Sequence, residues 1–217
     1  MIRNTLSAFA AFMLIAVAAI PARAENVSTE KALGEMSLGK KDAPVVIYAF
    51  ESLTCPHCKA FHDNAYKKIK TEYVDTGKVR IVFKDYPLNG QAFYGTLVAR
   101  CLGPDRYVGM TEMLFENQAK WAGFGGDKFF QTLAGYARLA GMTEADFKKC
   151  INDKALIDGV QAAQKEYNAK YKIQSTPTFV IGTPKTIDTD AAKRIEGAQS
   201  FEIFEGAIKS VLPDPAK

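Results

Sequence analysis

Residues 45–58 read Val45-Val46-Ile47-Tyr48-Ala49-Phe50-Glu51-Ser52-Leu53-Thr54-Cys55-Pro56-His57-Cys58. The β-branched, apolar run from Val45 to Phe50 suits a central strand covered on both faces. From Pro56 onward, Phe61, Ala65, Ile69 and Tyr73 recur at a step of four, one face of a helix that Thr76-Gly77 ends. The two thiols, three positions apart, therefore fall on the first turn of a helix. Cys55 lies at its positive end and Cys58 one turn in. Cysteines placed this way can close a small disulfide ring, which makes a redox site rather than a staple.

A thiol attacks poorly until it loses its proton, so such a site must stabilise a thiolate. At a helix N-terminus, unpaired backbone amides and the macrodipole point at the Cys55 sulfur. His57, on the same turn, can add a hydrogen bond or a positive charge. Pro56 fits because the amide it lacks would have had no partner there. Cys58 is expected to be the more buried, resolving thiol. A stabilised thiolate favours the reduced form, so the disulfide is readily given away.

Other readings of the motif are weaker. Zinc would need a second ligand pair beside Cys55, Cys58 and His57 or His62, and no closed set of four is visible. Covalent haem attachment needs His directly after the second Cys, where Lys59 stands. A plain structural disulfide is the remaining bland alternative. His62 reads as a surface or packing histidine.

The start of the chain has the three parts of a secretory signal: Arg3, the apolar run Leu6 to Ile20, and the small-residue site Ala22-Arg23-Ala24. The apolar run is shorter than the ~20 residues a spanning helix needs. Cleavage after Ala24 is expected, and an exported chain meets an oxidising compartment. The formal net charge is +4, and the signal carries two arginines and no acid. The balance that remains argues against a nucleic-acid or anionic-membrane partner. Four cysteines allow three pairings. The spacing pairs Cys55 with Cys58, which leaves Cys101 with Cys150 as a structural disulfide.

The chain divides into a signal peptide at 1–24, a short, loosely ordered leader at 25–42, and a core segment at 43–90. Residues 91–171 look helical, with breaks at Gly103-Pro104, Gly123 to Gly126 and Gly141, and Thr143 with Asp146 as a helix-start signal. Residues 172–217 complete the core. Val79, Ile81 and Phe83 form a second strand ended by Pro87. Thr178 to Ile181 and Arg194 to Glu196 are late strands, and a last helix starts at Ser200. A crossover helix between the first two strands makes them parallel, and the late strands suit an antiparallel edge. The fold class is α/β: a mixed sheet flanked by helices, with an all-helical insertion. Far along the chain, Thr176-Pro177-Thr178 opens a strand. An X-Pro bond is usually trans, but the upstream redox motif favours a cis turn here.

With these pieces together, the chain resembles the thioredoxin-fold disulfide oxidoreductases of the DsbA family. The resemblance rests on Cys55-Pro56-His57-Cys58 with Ser52-Leu53-Thr54 before it, Phe83-Lys84-Asp85-Tyr86-Pro87-Leu88, and Thr176-Pro177-Thr178-Phe179. It implies that Pro177 is a cis-proline facing the sulfurs and that Thr176 helps to bind substrate backbone. It also implies that residues 91–171 are the family's inserted helical domain. The second pair, Cys101 and Cys150, resembles that of an alphaproteobacterial branch. One departure concerns the buried acid that often stands six positions before the first cysteine, where this chain has Ala49. Glu51, on the same strand face, is either a substitute proton relay or a solvated strand end. Trp121 is expected to pack within the helical domain.

The resemblance implies a periplasmic dithiol oxidase that acts on folding exported proteins with reduced cysteines. A membrane quinone-linked partner would re-oxidise it. It would work as a monomer, with no metal or organic cofactor. Thr176, a residue that isomerases of this superfamily also use, keeps a disulfide isomerase in view. A non-catalytic thioredoxin-like binding or chaperone module is the alternative from a different class.

Overall fold

A computed structural model describes residues 26–213. The expected signal peptide and its cleavage site lie outside them. Five strands form one sheet: β1 (Met36–Leu38), β2 (Val45–Glu51), β3 (Val79–Asp85), β4 (Thr178–Gly182) and β5 (Lys193–Glu196). Their order across the sheet is β1-β3-β2-β4-β5. The Val45–Glu51 run is therefore the central strand, and six of its seven residues are buried. It pairs parallel with β3 and antiparallel with β4. The late strands do pair antiparallel, but β4 lies beside the centre and only β5 forms the edge.

The helices are α1 (Thr29–Leu33), α2 (Pro56–Asp63), α3 (Ala65–Ile69), α4 (Gly90–Cys101), α5 (Pro104–Glu116), α6 (Gly126–Leu139), α7 (Glu144–Ile151), α8 (Lys154–Tyr171) and α9 (Phe201–Val211). Everything from α4 to α8 lies between β3 and β4 in the chain. Thr143 caps α7 by accepting from the Asp146 amide at 3.1 Å. The sheet is covered on both faces. On one, Phe61 of α2, Phe179 of β4 and Phe204 of α9 meet with ring centroids 4.4–5.2 Å apart. On the other, the end of α8 lays Tyr167 and Tyr171 against Phe50 at 5.7 and 4.9 Å.

Two expectations are corrected. Much of the stretch expected as a loosely ordered leader, 25–42, is folded: Ser28 caps α1, and β1 adds an antiparallel edge to β3, with Met36 fully buried. A five-residue helix and a three-residue strand are too short to leave a periodic signal. The single helix expected from Pro56 to the stop at Thr76-Gly77 is broken at Asn64 (φ −118°, ψ −90°) and ends in a π-helical turn at Lys70–Val74. Phe61, Ala65, Ile69 and Tyr73 remain buried across the break, so the apolar spacing hides it.

A buried polar cluster ties these layers together. Arg100 Nε donates to Asp85 Oδ2 at 2.6 Å, and Tyr107 Oη donates to Asp85 Oδ1 at 2.7 Å. Arg100 Nη1 reaches back to the carbonyls of Ala32 and Gly34 at 2.8 and 3.3 Å. One guanidinium thus joins α4 to the end of β3 and to the N-terminal segment. Separately, Cys101 and Cys150 form a disulfide that fastens α4 to α7 across 49 residues of sequence.

Two stability outcomes follow. Asp85→Ala strands a buried guanidinium and should cost about 3–5 kcal/mol in urea unfolding. Cys101→Ala with Cys150→Ala should stay folded but unfold more easily, by up to about 4 kcal/mol on the chain-entropy argument. Calorimetry of oxidised protein checks both.

Candidate active site

Cys55 occupies the N-cap of α2 in an extended conformation (φ −77°, ψ 122°), with Pro56 at the first helical position. The Cys55 carbonyl accepts from the Lys59 amide at 3.1 Å, so the helix starts at this cysteine. Its sulfur consequently faces the unpaired amides of the first turn. Cys58 is fully buried on the inner side of that turn. Both cysteines are free thiols in this structure. Pro56 and His57 stand exposed.

From the opposite side, the Thr176–Pro177 peptide is cis and brings its loop onto the sulfurs. Cys55 Sγ donates to the Thr176 carbonyl at 3.3 Å. The Thr176 hydroxyl is buried and, in this thiol form, makes no hydrogen bond among the described residues. It is among the groups that favour the Cys55 thiolate. The loop sits where it does because β4 begins at Thr178, opposite Phe50 of β2 in the antiparallel register.

This setting splits the two thiols. Cys55 falls from the ordinary 9.0 to about 5. The hydrogen bond donated by the Cys58 thiol is the largest cause. Thr176 and the backbone amides of Cys58 and His57 add to it, and burial opposes them. Cys58 moves far upward, chiefly through burial, then through its bond to Cys55 and the negative charge of Glu51. The Ser52 amide also points at Cys58 Sγ, at 3.5 Å. One sulfur is made to ionise and its neighbour to hold its proton.

Glu51 is no solvated strand end: it is buried, and its carboxylate oxygens lie 3.1 and 3.3 Å from His62 Nε2. Of the two readings of His62, surface or packing, the structure has packing. It packs inside α2, stacked on Phe115 of α5 with centroids 4.1 Å apart. Ala49, six positions before Cys55, is buried apolar core. Trp121 is fully buried and donates from Nε1 to the Leu114 carbonyl at 2.8 Å, which makes it a packing residue.

Sequence reasoning missed Gln118. Its buried amide donates to the carbonyls of Leu53 and Cys55 at 2.9 and 3.0 Å, so the helical segment clamps the active-site loop directly. The Ser52 hydroxyl accepts from the Leu88 amide at 3.2 Å and joins the loop to the segment that follows β3. No group of His, Cys, Asp and Glu able to hold a metal occurs among the described residues.

This geometry can be set beside known proteins. A family model described as Thioredoxin matches residues 31–210. The chain belongs to the thioredoxin family. Within it the chain is DsbA-like, and its fold is the thioredoxin-like sheet with a helical insertion. The crystal structure of Wolbachia pipientis alpha-DsbA1 superposes with a TM-score of 0.72 at 26% identity, covering 85% of this chain and 96% of that one. Disulfide bond formation protein D of Bacillus subtilis is 28% identical over 159 residues, 68% of each chain. A protein-disulfide oxidoreductase-type protein of Rickettsia bellii is also 28% identical, over 153 residues, 70% of this chain and 58% of that protein. The chain thus spans little more than half the length of such rickettsial relatives.

The pKa split carries a pH signature in this DsbA-like chain. Because the folded pKa of Cys55 lies below the unfolded one, ionisation stabilises the reduced fold fully above about pH 9. That stabilisation is lost as pH falls through about 5. Thiolate absorbance at 240 nm should titrate with a midpoint near 5 and vanish in Cys55→Ala.

Proposed function

We propose that this chain is an exported protein-disulfide oxidoreductase that gives its Cys55–Cys58 disulfide to folding proteins. A substrate thiolate attacks Cys55 Sγ, the S–S bond breaks, and its electron pair goes to Cys58, which takes up a proton. The second substrate thiolate then attacks its own sulfur in the mixed disulfide and releases Cys55. Two electrons pass from the substrate dithiol to the enzyme.

The observation that carries this reading is the split between the thiols. Cys55, held near 5, leaves as a stable thiolate at neutral pH, while Cys58 keeps its proton. Thr176 and Pro177 would align the substrate backbone beside Cys55, and Pro56 and His57 sit exposed where it must approach. Glu51 would give Cys58 its proton as the disulfide opens and take it back on re-oxidation. The periplasm, a monomeric state, and re-oxidation by a membrane quinone-linked partner belong to the same proposal, on the family likeness and the apolar N-terminal segment. Among the described residues no helix is long and apolar enough to cross a membrane.

Equilibration with glutathione tests the direction of the chemistry. The expected potential is well above that of thioredoxin, about −270 mV; a value at or below it would make the chain a reductant. Cys58→Ser should trap mixed disulfides with exported proteins that dithiothreitol releases, and Cys55→Ser should trap none.

A further inference from the structure

The chemistry above leaves one proton without a path. Cys58 is fully buried, yet it must gain a proton each time the disulfide opens and lose it each time the disulfide re-forms. A thiol pushed so far up is a poor leaving group unless a proton arrives as the bond breaks. We propose that the Glu51–His62 pair conducts this proton, and that its outlet is the groove between α3 and α5, away from the substrate face. The inference rests on the oxidoreductase reading and adds His62 and an exit route to it.

Three placements support it. Cys58 and His62 are four residues apart in α2, so both lie on the same buried helix face. Glu51 precedes Ser52, whose amide contacts Cys58 Sγ, and its own carboxylate meets His62 Nε2. The acid therefore sits beside both groups.

The second placement is that of His62 between two spaces. Inside lies a cavity of about 10 Å³, roughly the room of one water, lined by Glu51, His62, Thr111 and Phe115 among others. Outside lies a groove of about 250 Å³ lined by His62, Tyr66, Glu112 and Phe115 among others. The stacked pair His62 and Phe115 is common to both linings. The imidazole is thus part of the wall between the buried acid and the groove. Its second nitrogen, Nδ1, is buried without a hydrogen-bond partner among the described residues.

The third is that other charges near this wall are engaged or exposed. Asp85 is held by Arg100 and Tyr107. Lys84 lies over the rings of Tyr48 and Tyr167. On the groove side, Tyr66 donates to Glu112 at 2.7 Å, and Asp63 and Lys70 pair with Lys59 and Asp75. Lys67 and Glu116 are exposed. Glu51 and His62 have each other.

The proton count closes. As the Cys55–Cys58 bond breaks, Glu51 gives a proton to Cys58 Sγ and is left as the carboxylate, and His62, which meets it through Nε2, takes one from the groove at Nδ1. One proton enters from solvent for each disulfide opened, and re-oxidation reverses the path. His62 is a positioning residue, since it acts through Glu51.

The test follows reduction of the oxidised full-length chain by dithiothreitol, by stopped-flow fluorescence, between pH 5.5 and 8.5. His62→Ala should slow it at least about tenfold near pH 6.5, within the range of general acid catalysis. Imidazole at 100 mM should restore most of the rate through the groove. Glu51→Gln should slow it similarly without imidazole rescue, and the double variant should be no slower than either single. His62→Phe keeps the stack on Phe115 and separates packing from proton transfer; it too should be slow. The Cys55 titration should stay near 5 in the His62 variants. Wild-type rates and pH profiles in His62→Phe, or slowing in His62→Ala that imidazole leaves unchanged, overturn the proposal. Failure of the wild type to oxidise any dithiol would instead overturn the oxidoreductase reading.

Discussion

A sulfur that must ionise at neutral pH needs donors on more than one side, and no single element of this chain can supply them. The first turn of α2 offers its amides to Cys55 from one direction, and the cis loop at Thr176–Pro177 closes on it from the other. Those two pieces are separated by 121 residues in the chain. What brings them together is β2, whose C-terminal end leads into α2 while its edge pairs with the start of β4. The antiparallel register opposing Phe50 to Thr178 therefore sets the approach of loop to sulfur. A register slip of one residue would turn the β4 side chains to the wrong faces and move the loop away.

The helical segment contributes to this site as well as standing beside it. Gln118 holds the backbone on either side of Thr54, at the Leu53 and Cys55 carbonyls. Buried carbonyls left without donors are costly, so Gln118 ties the loop before the helix to the helical insertion. The docking is in turn maintained by Arg100, Asp85 and Tyr107, which join α4 and α5 to the end of β3. The Cys101–Cys150 bond acts further out, within the helical layer, and fixes α7 against α4. The Cys55–Cys58 pair and the covalent staple are thus kept on separate parts of the molecule.

Much of this arrangement was legible in the sequence because it rests on local signals. The apolar run of β2, the alternation in β3 and the Thr143 cap each act over a few residues, and each appears as read. The features that escaped notice have long-range causes. Gln118 finds its acceptors more than 60 residues away, and nothing in its neighbours marks it as an anchor. Whether His62 packs or faces solvent is not decided locally, because Phe115 and Glu51, which bury it, come from α5 and β2. The segment around Met36 gave no periodic signal because three strand residues hold too little pattern, and its burial depends on β3.

The asymmetry between the cysteines also explains why the acid sits where it does. A carboxylate near Cys55 would oppose its ionisation, since like charges disfavour one another. Placed behind Cys58, the same charge reinforces burial in keeping that thiol protonated. β2 can carry an acid on this face at Ala49 or two residues later at Glu51, because alternate strand residues share a face. The position used here lies nearer the C-terminal end of the strand and within reach of His62. A buried carboxylate is tolerable only with a partner, and the imidazole one helical turn beyond Cys58 is that partner. Moving the acid back to Ala49 without moving the histidine would leave a charge among apolar neighbours, so the two positions are physically linked in this chain.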